Sequence, residues 1–145
     1  PKLVLAGRKG WMYDSIFEIV KELHLEEDVI FTGYIDAKES PILMKGALAF
    51  LFPTIYEGFG MPPLEAMACG TPVLVSNAAS LPEVVGDAGI FVDPMSIDSI
   101  REGIEDLLIN EAVRNDLSRR GIERAQTFSW NRSADIIAKV IKDLV

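Results

Sequence analysis

The sequence predicts an α/β fold, a parallel sheet covered by helices on both faces. Three observations carry that prediction. Runs such as Leu3-Val4-Leu5-Ala6, Val29-Ile30-Phe31-Thr32 and Pro72-Val73-Leu74-Val75 are apolar or small on successive residues and do not alternate. Continuous patterning of this kind marks strands buried on both faces. The runs are separated by stretches of helical periodicity, and each is followed closely by glycine, proline or asparagine.

In chain order, Leu3–Ala6 reads as a buried strand, and Gly7-Arg8-Lys9-Gly10 as the loop after it. Asp14 or Ser15 is placed to cap a helix through Leu23, with Ile16, Val20 and Leu23 on one face. Val29–Gly33 is a second strand, residues 38–46 a short helix and residues 47–52 a third strand. Residues 71–76 form a fourth strand. Ser80 is placed to cap a short turn over Leu81–Val85, with Pro82 at its first position. Gly89–Val92 is a short fifth strand. After Pro94 the pattern is helical: Ile97, Ile100, Ile104, Leu107 and Leu108 recur on one face. A second helix covers Glu111–Ala125. Ser129 caps a third, in which Ala134, Ile137, Ile141 and Leu144 share a face. No repeat or linker interrupts the chain, which reads as one domain.

Residues 56–70 carry the chemistry, reading Tyr-Glu-Gly-Phe-Gly-Met-Pro-Pro-Leu-Glu-Ala-Met-Ala-Cys-Gly. A strand, a glycine loop and a helix opened by Pro62 and Pro63 make a ready site for an anion such as phosphate. Gly58 and Gly60 leave room for close approach to the backbone. The amides of Gly60, Met61 and Leu64 are candidate donors, helped by the helix dipole. Glu57 lies in the loop, and Glu65 is read into the first turn of the helix. Ionised, both only accept hydrogen bonds, which suits vicinal sugar hydroxyls. Taken singly, Glu65 could merely complement the dipole and Glu57 could be a solvated loop acid. The pair, set among two glycines and a double proline, points instead to a site. In a parallel sheet ligands lie beyond the carboxyl ends of the strands. Gly7-Arg8-Lys9, Gly33-Tyr34, residues 54–58 and Ser76-Asn77 all fall at such ends. Two carboxylates near a diphosphate repel it, so a cation is required; Arg8 and Lys9 are the candidates at that edge.

Composition excludes several classes. With 145 residues, 49% of them hydrophobic, the chain can bury a real core. A net charge of −8 argues against nucleic acid. No apolar run approaches the roughly 18 residues of a membrane span. The single cysteine, Cys69, excludes an internal disulfide, fits a reducing, cytoplasmic compartment, and reads as packing. The only histidine, His24, reads as a surface residue. Trp11, Phe128 and Trp130 read as core or interface packing, while Tyr34 and Tyr56 suit either packing or stacking on a base. No metal-ligand spacing, Ser-His-Asp set or Walker loop is present.

The ordered set of these residues resembles the retaining, nucleotide-sugar-dependent glycosyltransferases of family 4, the "group 1" transferases of two-domain GT-B architecture. The signature is Glu-x7-Glu, Glu57 and Glu65, within the stretch above and running on through Thr71-Pro72-Val73. It is flanked by Val29-Ile30-Phe31-Thr32-Gly33-Tyr34, by Ser80-Leu81-Pro82-Glu83-Val84-Val85-Gly86-Asp87-Ala88-Gly89, and by Phe128-Ser129-Trp130. The resemblance implies a Rossmann-like, C-terminal donor domain that binds a nucleoside-diphosphate sugar as substrate and uses no metal or other cofactor. By the same resemblance Glu57 contacts the donor sugar at the reacting end and Glu65 the ribose. Gly58, Phe59, Gly60, Met61 and Leu64 serve the sugar and diphosphate, and Gly33, Tyr34 and Ile35 lie against the base. Glu83 is read as structural, bonding local amides.

The resemblance also implies what is missing. The family's diphosphate-clamping arginine and lysine follow a strand that should precede Pro1, and Arg8 and Lys9 are not their equivalents. In the family's strand order, 3-2-1-4-5-6, that strand is central. The chain is therefore expected to be a fragment, inactive alone. Its first and third strands should either pair directly or leave a slot filled by another chain, a route to self-association. The acceptor, a glycan or lipid-linked saccharide, and any peripheral membrane contact belong to the absent N-terminal domain. The rival readings are a non-catalytic nucleotide or nucleotide-sugar binding module and a flavodoxin-like domain. The latter wants an acidic cluster after its first strand, where this chain has none.

Overall fold

A computed structural model describes residues 1–8, 10 and 13–144; the readings of Lys9 and Trp11 fall outside them. The chain divides into two compact units, Pro1–Ser40 and Pro41–Val145.

The first unit holds β1 (Leu3–Ala6), α1 (Asp14–Glu22) and β2 (Val29–Gly33). β1 and β2 pair in parallel, from Leu3 opposite Val29 to Ala6 opposite Gly33, with a register shift between Leu5 and Ala6. Phe17 of α1 stacks on Phe31 of β2 at 4.2 Å between ring centroids, and Tyr13 meets Phe17 edge-on. Tyr13, not Asp14 or Ser15, occupies the cap position of α1, and no side chain caps the helix. The Ile16 amide already turns back onto the Tyr13 carbonyl at 3.1 Å, which makes Asp14 the first helical residue. Leu3, Val4, Ile30 and Phe31 are all exposed, against the expectation of buried strands. Two strands and one nine-residue helix supply too little surface to cover both faces of a sheet.

The second unit contains the remaining elements: α2 (Ser40–Gly46, starting at the last residue of the first unit), β3 (Phe50–Phe52), α3 (Met61–Ala68), β4 (Val73–Ser76), α4 (Leu81–Val85), β5 (Gly89–Val92), α5 (Ile97–Ile109), α6 (Glu111–Ala125) and α7 (Trp130–Leu144). Its sheet has the order β3-β4-β5, all parallel, with Phe50 opposite Val73 and Val73 opposite Gly89. The strands of the described residues thus fall into two sheets, one in each unit.

β4 explains the continuous apolar pattern. All four of its residues are buried, and Val73, Leu74 and Val75 alternate between two cores. Val73 and Val75 pack with Ala66 and Met67 of α3 and with Leu81 and Val85 of α4. Leu74 joins Val92, Leu107 of α5 and Leu117 of α6. Helices therefore cover both faces of this sheet, as the strand pattern predicted. The caps of the later helices are local. Ser96 Oγ accepts from the Ser99 amide, Asn110 Oδ1 from the Val113 amide, and Ser129 Oγ from the Arg132 amide, the last as predicted.

α7 buries no residue. Ile137, Ile141 and Leu144 are more than half exposed, and Trp130 is 82% exposed, so Trp130 is not core packing in this unit. The α7 periodicity was legible, but no other element of the unit covers its apolar face.

α5 comes close to the sheet at Gly103. A Cβ there would lie 2.8 Å from Leu74 Cδ1 and 2.9 Å from Val92 Cγ1. Both contacts are with fully packed side chains, so the helix would have to withdraw. Gly103→Ala is expected to destabilise the second unit by about 1–3 kcal/mol, the usual cost of overpacking, read as a lower urea midpoint with an unchanged slope. An unchanged midpoint would show that α5 has slack against β4.

Candidate functional site

The loop after β3 is tied to the end of β4 before it reaches the glycines. Ser76 Oγ donates to the Thr54 carbonyl at 2.5 Å, and Thr54 Oγ1 donates to the Tyr56 carbonyl at 2.9 Å. Glu57 follows, half-buried, and its Oε1 accepts from the Gly58 amide at 3.1 Å. Gly58 and Phe59 are exposed, Gly60 is buried, and Tyr56 is 80% exposed.

Gly60 sits at the start of α3 with φ of 100°, in the left-handed region. A Cβ at this position would lie 2.6 Å from Leu81 Cδ2. Both the backbone angle and the contact require glycine. α3 then begins at Met61, with Pro62 and Pro63 in its first turn. The Leu64 amide donates to the Gly60 carbonyl at 3.3 Å, so it serves the helix itself. The Gly60 and Met61 amides make no hydrogen bond among the described residues, which leaves two donors at the helix start.

Glu65 is the fifth residue of α3 and exposed, and the first turn holds no acid. This corrects its predicted place in the first turn. Pro62 and Pro63 stand in the first turn and open the helix, as read from the sequence. The helix-dipole interaction falls off beyond the first turn. That explanation for Glu65 is therefore weakened, and its carboxylate is left accessible. Glu57, Gly58, Phe59, Gly60, Met61, Leu64 and Glu65 thus lie on one continuous loop and helix start. Asn77, also exposed, follows the end of β4.

The remaining predicted residues belong to the first unit. Gly33 ends β2 with φ of 69°, and its carbonyl accepts from the Gly7 amide at 2.9 Å. Tyr34 is 62% exposed, with the Arg8 guanidinium 4.6 Å above its ring. Its aromatic face is thus engaged by a cation. Ile35 is half-buried. A cavity of about 650 Å³ beside them is lined by Arg8, Phe17, Phe31 and Gly33, among others.

Other readings are resolved by position. Cys69 caps the C-terminal end of α3, half-buried against the core. His24 is exposed just beyond α1. The Glu83 side chain is exposed and makes no hydrogen bond among the described residues, contrary to its expected bonds to local amides. Its carbonyl is used instead, accepting from Arg124 Nη2. Ser80 occupies the position before α4, but its hydroxyl does not cap that helix. It reaches the carbonyls of Glu57 at 3.1 Å and Phe59 at 2.9 Å. Nothing in the sequence signals this, because a serine ahead of a short helix reads locally as a cap. Among the described residues, no three His, Cys, Asp or Glu side chains are grouped as metal ligands, and no helix is long and apolar enough to cross a membrane.

A parallel sheet with helices on both faces is the fold of the family suggested by the sequence, and comparison with known proteins shows that family. The family profile "Glycosyl transferases group 1" matches residues 1–124. The chain belongs to this family. It is 42% identical over 128 residues to the O-antigen chain mannosyltransferase B of Escherichia coli, covering 88% of this chain and 34% of that protein. It is 34% identical to the MMP alpha-(1->4)-mannosyltransferase of Mycolicibacterium hassiacum, over 81% of this chain and 29% of that protein. The chain thus spans about a third of these relatives' length. Among solved structures, sucrose-phosphate synthase of Thermosynechococcus elongatus matches 99% of this chain and 38% of its own, with a TM-score of 0.89 and 30% identity. Anabaena HepE, solved with UDP-glucose, matches 98% of this chain and 41% of its own, with a TM-score of 0.87 and 21% identity, a likeness of fold alone. The fold class is the Rossmann-like, GT-B one that the resemblance implied.

Gly60→Ala is expected to cost about 1–3 kcal/mol, since a non-glycine residue is strained at this φ and its methyl meets Leu81. Thermal denaturation measures the loss. A melting temperature equal to that of the unaltered chain would show that the α3 start is not held in this geometry.

Proposed function

We propose that the chain is the donor-binding part of a glycosyltransferase that moves a hexose from a nucleoside-diphosphate sugar to a glycan or lipid-linked acceptor, with retention of anomeric configuration. The observation that carries this reading is the presentation of Glu57 and Glu65 on one loop and helix start, in a chain of the group 1 family. The mannosyltransferases among its relatives make mannose the first sugar to test.

In this reading Glu57 accepts hydrogen bonds from hydroxyls of the transferred sugar. Its Oε1 is partly used by the Gly58 amide, which orients the carboxylate and leaves its other oxygen for a ligand. Glu65, accessible on the second turn of α3, accepts from a ribose diol. The Gly60 and Met61 amides stand at the positive end of α3, where they can donate to a diphosphate. As the sugar leaves, charge grows on that diphosphate, and preorganised donors stabilise it more than they stabilise the ground state. Residues 54–65 contain no basic side chain. The cations that balance the phosphates and two carboxylates must come from elsewhere in the protein. The acceptor site and any resident cofactor requirement belong to that wider protein too.

The alternative is a module that binds a nucleotide or nucleotide sugar without turnover. Titration calorimetry with guanosine, uridine and adenosine diphosphate sugars tests binding, and product analysis by proton NMR on the longer protein tests transfer and anomeric outcome. Binding without transfer favours the module, and an inverted product overturns retention.

Glu65→Ala is expected to weaken nucleoside-diphosphate-sugar binding about 10- to 100-fold, as loss of hydrogen bonds to a charged group implies. The melting temperature should hold, since the side chain is exposed. Unchanged affinity in that variant would remove Glu65 from the site.

A further inference from the structure

The loop that carries Glu57 has little to hold it from within. Thr54 Oγ1 holds the Tyr56 carbonyl just ahead of it, but within residues 57–60 the one side-chain bond among the described residues is Glu57 Oε1 accepting from the adjacent Gly58 amide. A side chain placed at Gly58 would meet nothing within 4 Å. Glycines make such a turn accessible but do not select one conformation of it. Yet the proposed role of Glu57 needs its carboxylate held in place before the ligand arrives.

Two groups from distant parts of the second unit supply that hold. The first is the Ser80 hydroxyl, ahead of α4, at 3.1 Å from the Glu57 carbonyl and 2.9 Å from the Phe59 carbonyl. With one proton it serves the two acceptors in bifurcated fashion or in turn, and so clamps both sides of Gly58. The second is the Phe128 ring, which meets the Phe59 ring edge-on at 6.0 Å between centroids and 85° between planes. Phe128 is itself covered by the Arg124 guanidinium, 5.0 Å from its centroid. Arg124 in turn is anchored on α4, with Nε donating to the Val84 carbonyl at 3.0 Å and Nη2 to the Glu83 carbonyl. Both holds therefore rest on the same short helix, whose Leu81 also lies under Gly60.

We propose that Ser80 and Phe128 are positioning residues that set the loop of residues 57–60, and with it the Glu57 carboxylate, for the donor. Ser80 acts by its hydroxyl and Phe128 by its Arg124-backed ring. The inference deepens the donor-binding reading and rests on it. It also gives a task to two segments, the one beginning at Ser80 and the one beginning at Phe128, whose residues otherwise read as a helix cap and as packing.

The test compares Ser80→Ala, Ser80→Thr and Phe128→Leu in the full chain. Backbone order parameters and carbonyl carbon shifts from NMR are recorded without ligand, and affinity for nucleoside-diphosphate sugars is then measured. Ser80→Ala should drop the order parameters of residues 57–60 from about 0.85 to below about 0.6, and shift the Glu57 and Phe59 carbonyl resonances. It should weaken donor binding about three- to tenfold, the scale of one lost hydrogen bond, at an unchanged melting temperature. Ser80→Thr, which keeps the hydroxyl, should restore all three readouts. Phe128→Leu should loosen Phe59 without moving the Glu57 carbonyl resonance. A loop as ordered in Ser80→Ala as in the unaltered chain overturns the proposal. So does a loosened loop with undiminished donor affinity. The ligand-free spectra decide the anchoring by themselves. An unaltered chain, and a longer protein carrying it, that bind no sugar nucleotide overturn the donor reading and the purpose assigned to the anchoring.

Discussion

The contact of Gly60 with Leu81 is the constraint around which the site is arranged. Leu81 is fully buried, held by the core that α3 and α4 share over one face of the sheet. Because the backbone at position 60 passes so close to that side chain, it adopts a left-handed angle open to glycine. That angle determines where α3 starts. The start of α3 determines that Gly60 and Met61 present free amides while Leu64 turns back into the helix. It also sets Glu65 on the second turn, beyond the reach of the helix dipole. A single close approach between a loop and a short helix thus sorts the donors from the acceptors.

The electrostatics of the site follow from the same arrangement. The loop and helix start offer two carboxylates, two free amides and no basic side chain. Such a set is suited to hydroxyl groups and is poorly balanced for a diphosphate on its own. Two unit charges about 4 Å apart interact by about 4 kcal/mol at an effective dielectric of 20, more than two neutral hydrogen bonds contribute net. A donor bound here therefore depends on cations that this loop does not carry. The Arg8 guanidinium, in the first unit, lies over the Tyr34 ring.

Much of the second unit was legible in the sequence, and the reasons are local. β4 reads as buried because Val73, Leu74 and Val75 each meet one of two cores, and Ser76 is buried with its hydroxyl on the Thr54 carbonyl. The helices Glu111–Ala125 and Leu81–Val85 match their predicted spans, and Ser129 caps α7 as predicted. The departures arise where distant residues compete for a group. Ser80 has the form of a cap, but two loop carbonyls take its hydroxyl. Glu83 uses its carbonyl rather than its carboxylate, because Arg124 reaches over from α6. Leu3, Val4, Ile30, Phe31 and Trp130 are apolar for contacts that their own unit does not supply.

By itself the sequence determined the fold class and the family, and it drew out Glu57 and Glu65 as candidates, since each is written in short-range pattern: strand hydrophobicity, helical spacing and an ordered motif. Only the tertiary structure decided what those glutamates stand on. The register of α3, the left-handed Gly60, and the holds from Ser80 and Phe128 join residues far apart in the chain. Contacts of that separation depend on how the helices pack on the sheet. No local preference of the residues involved encodes them.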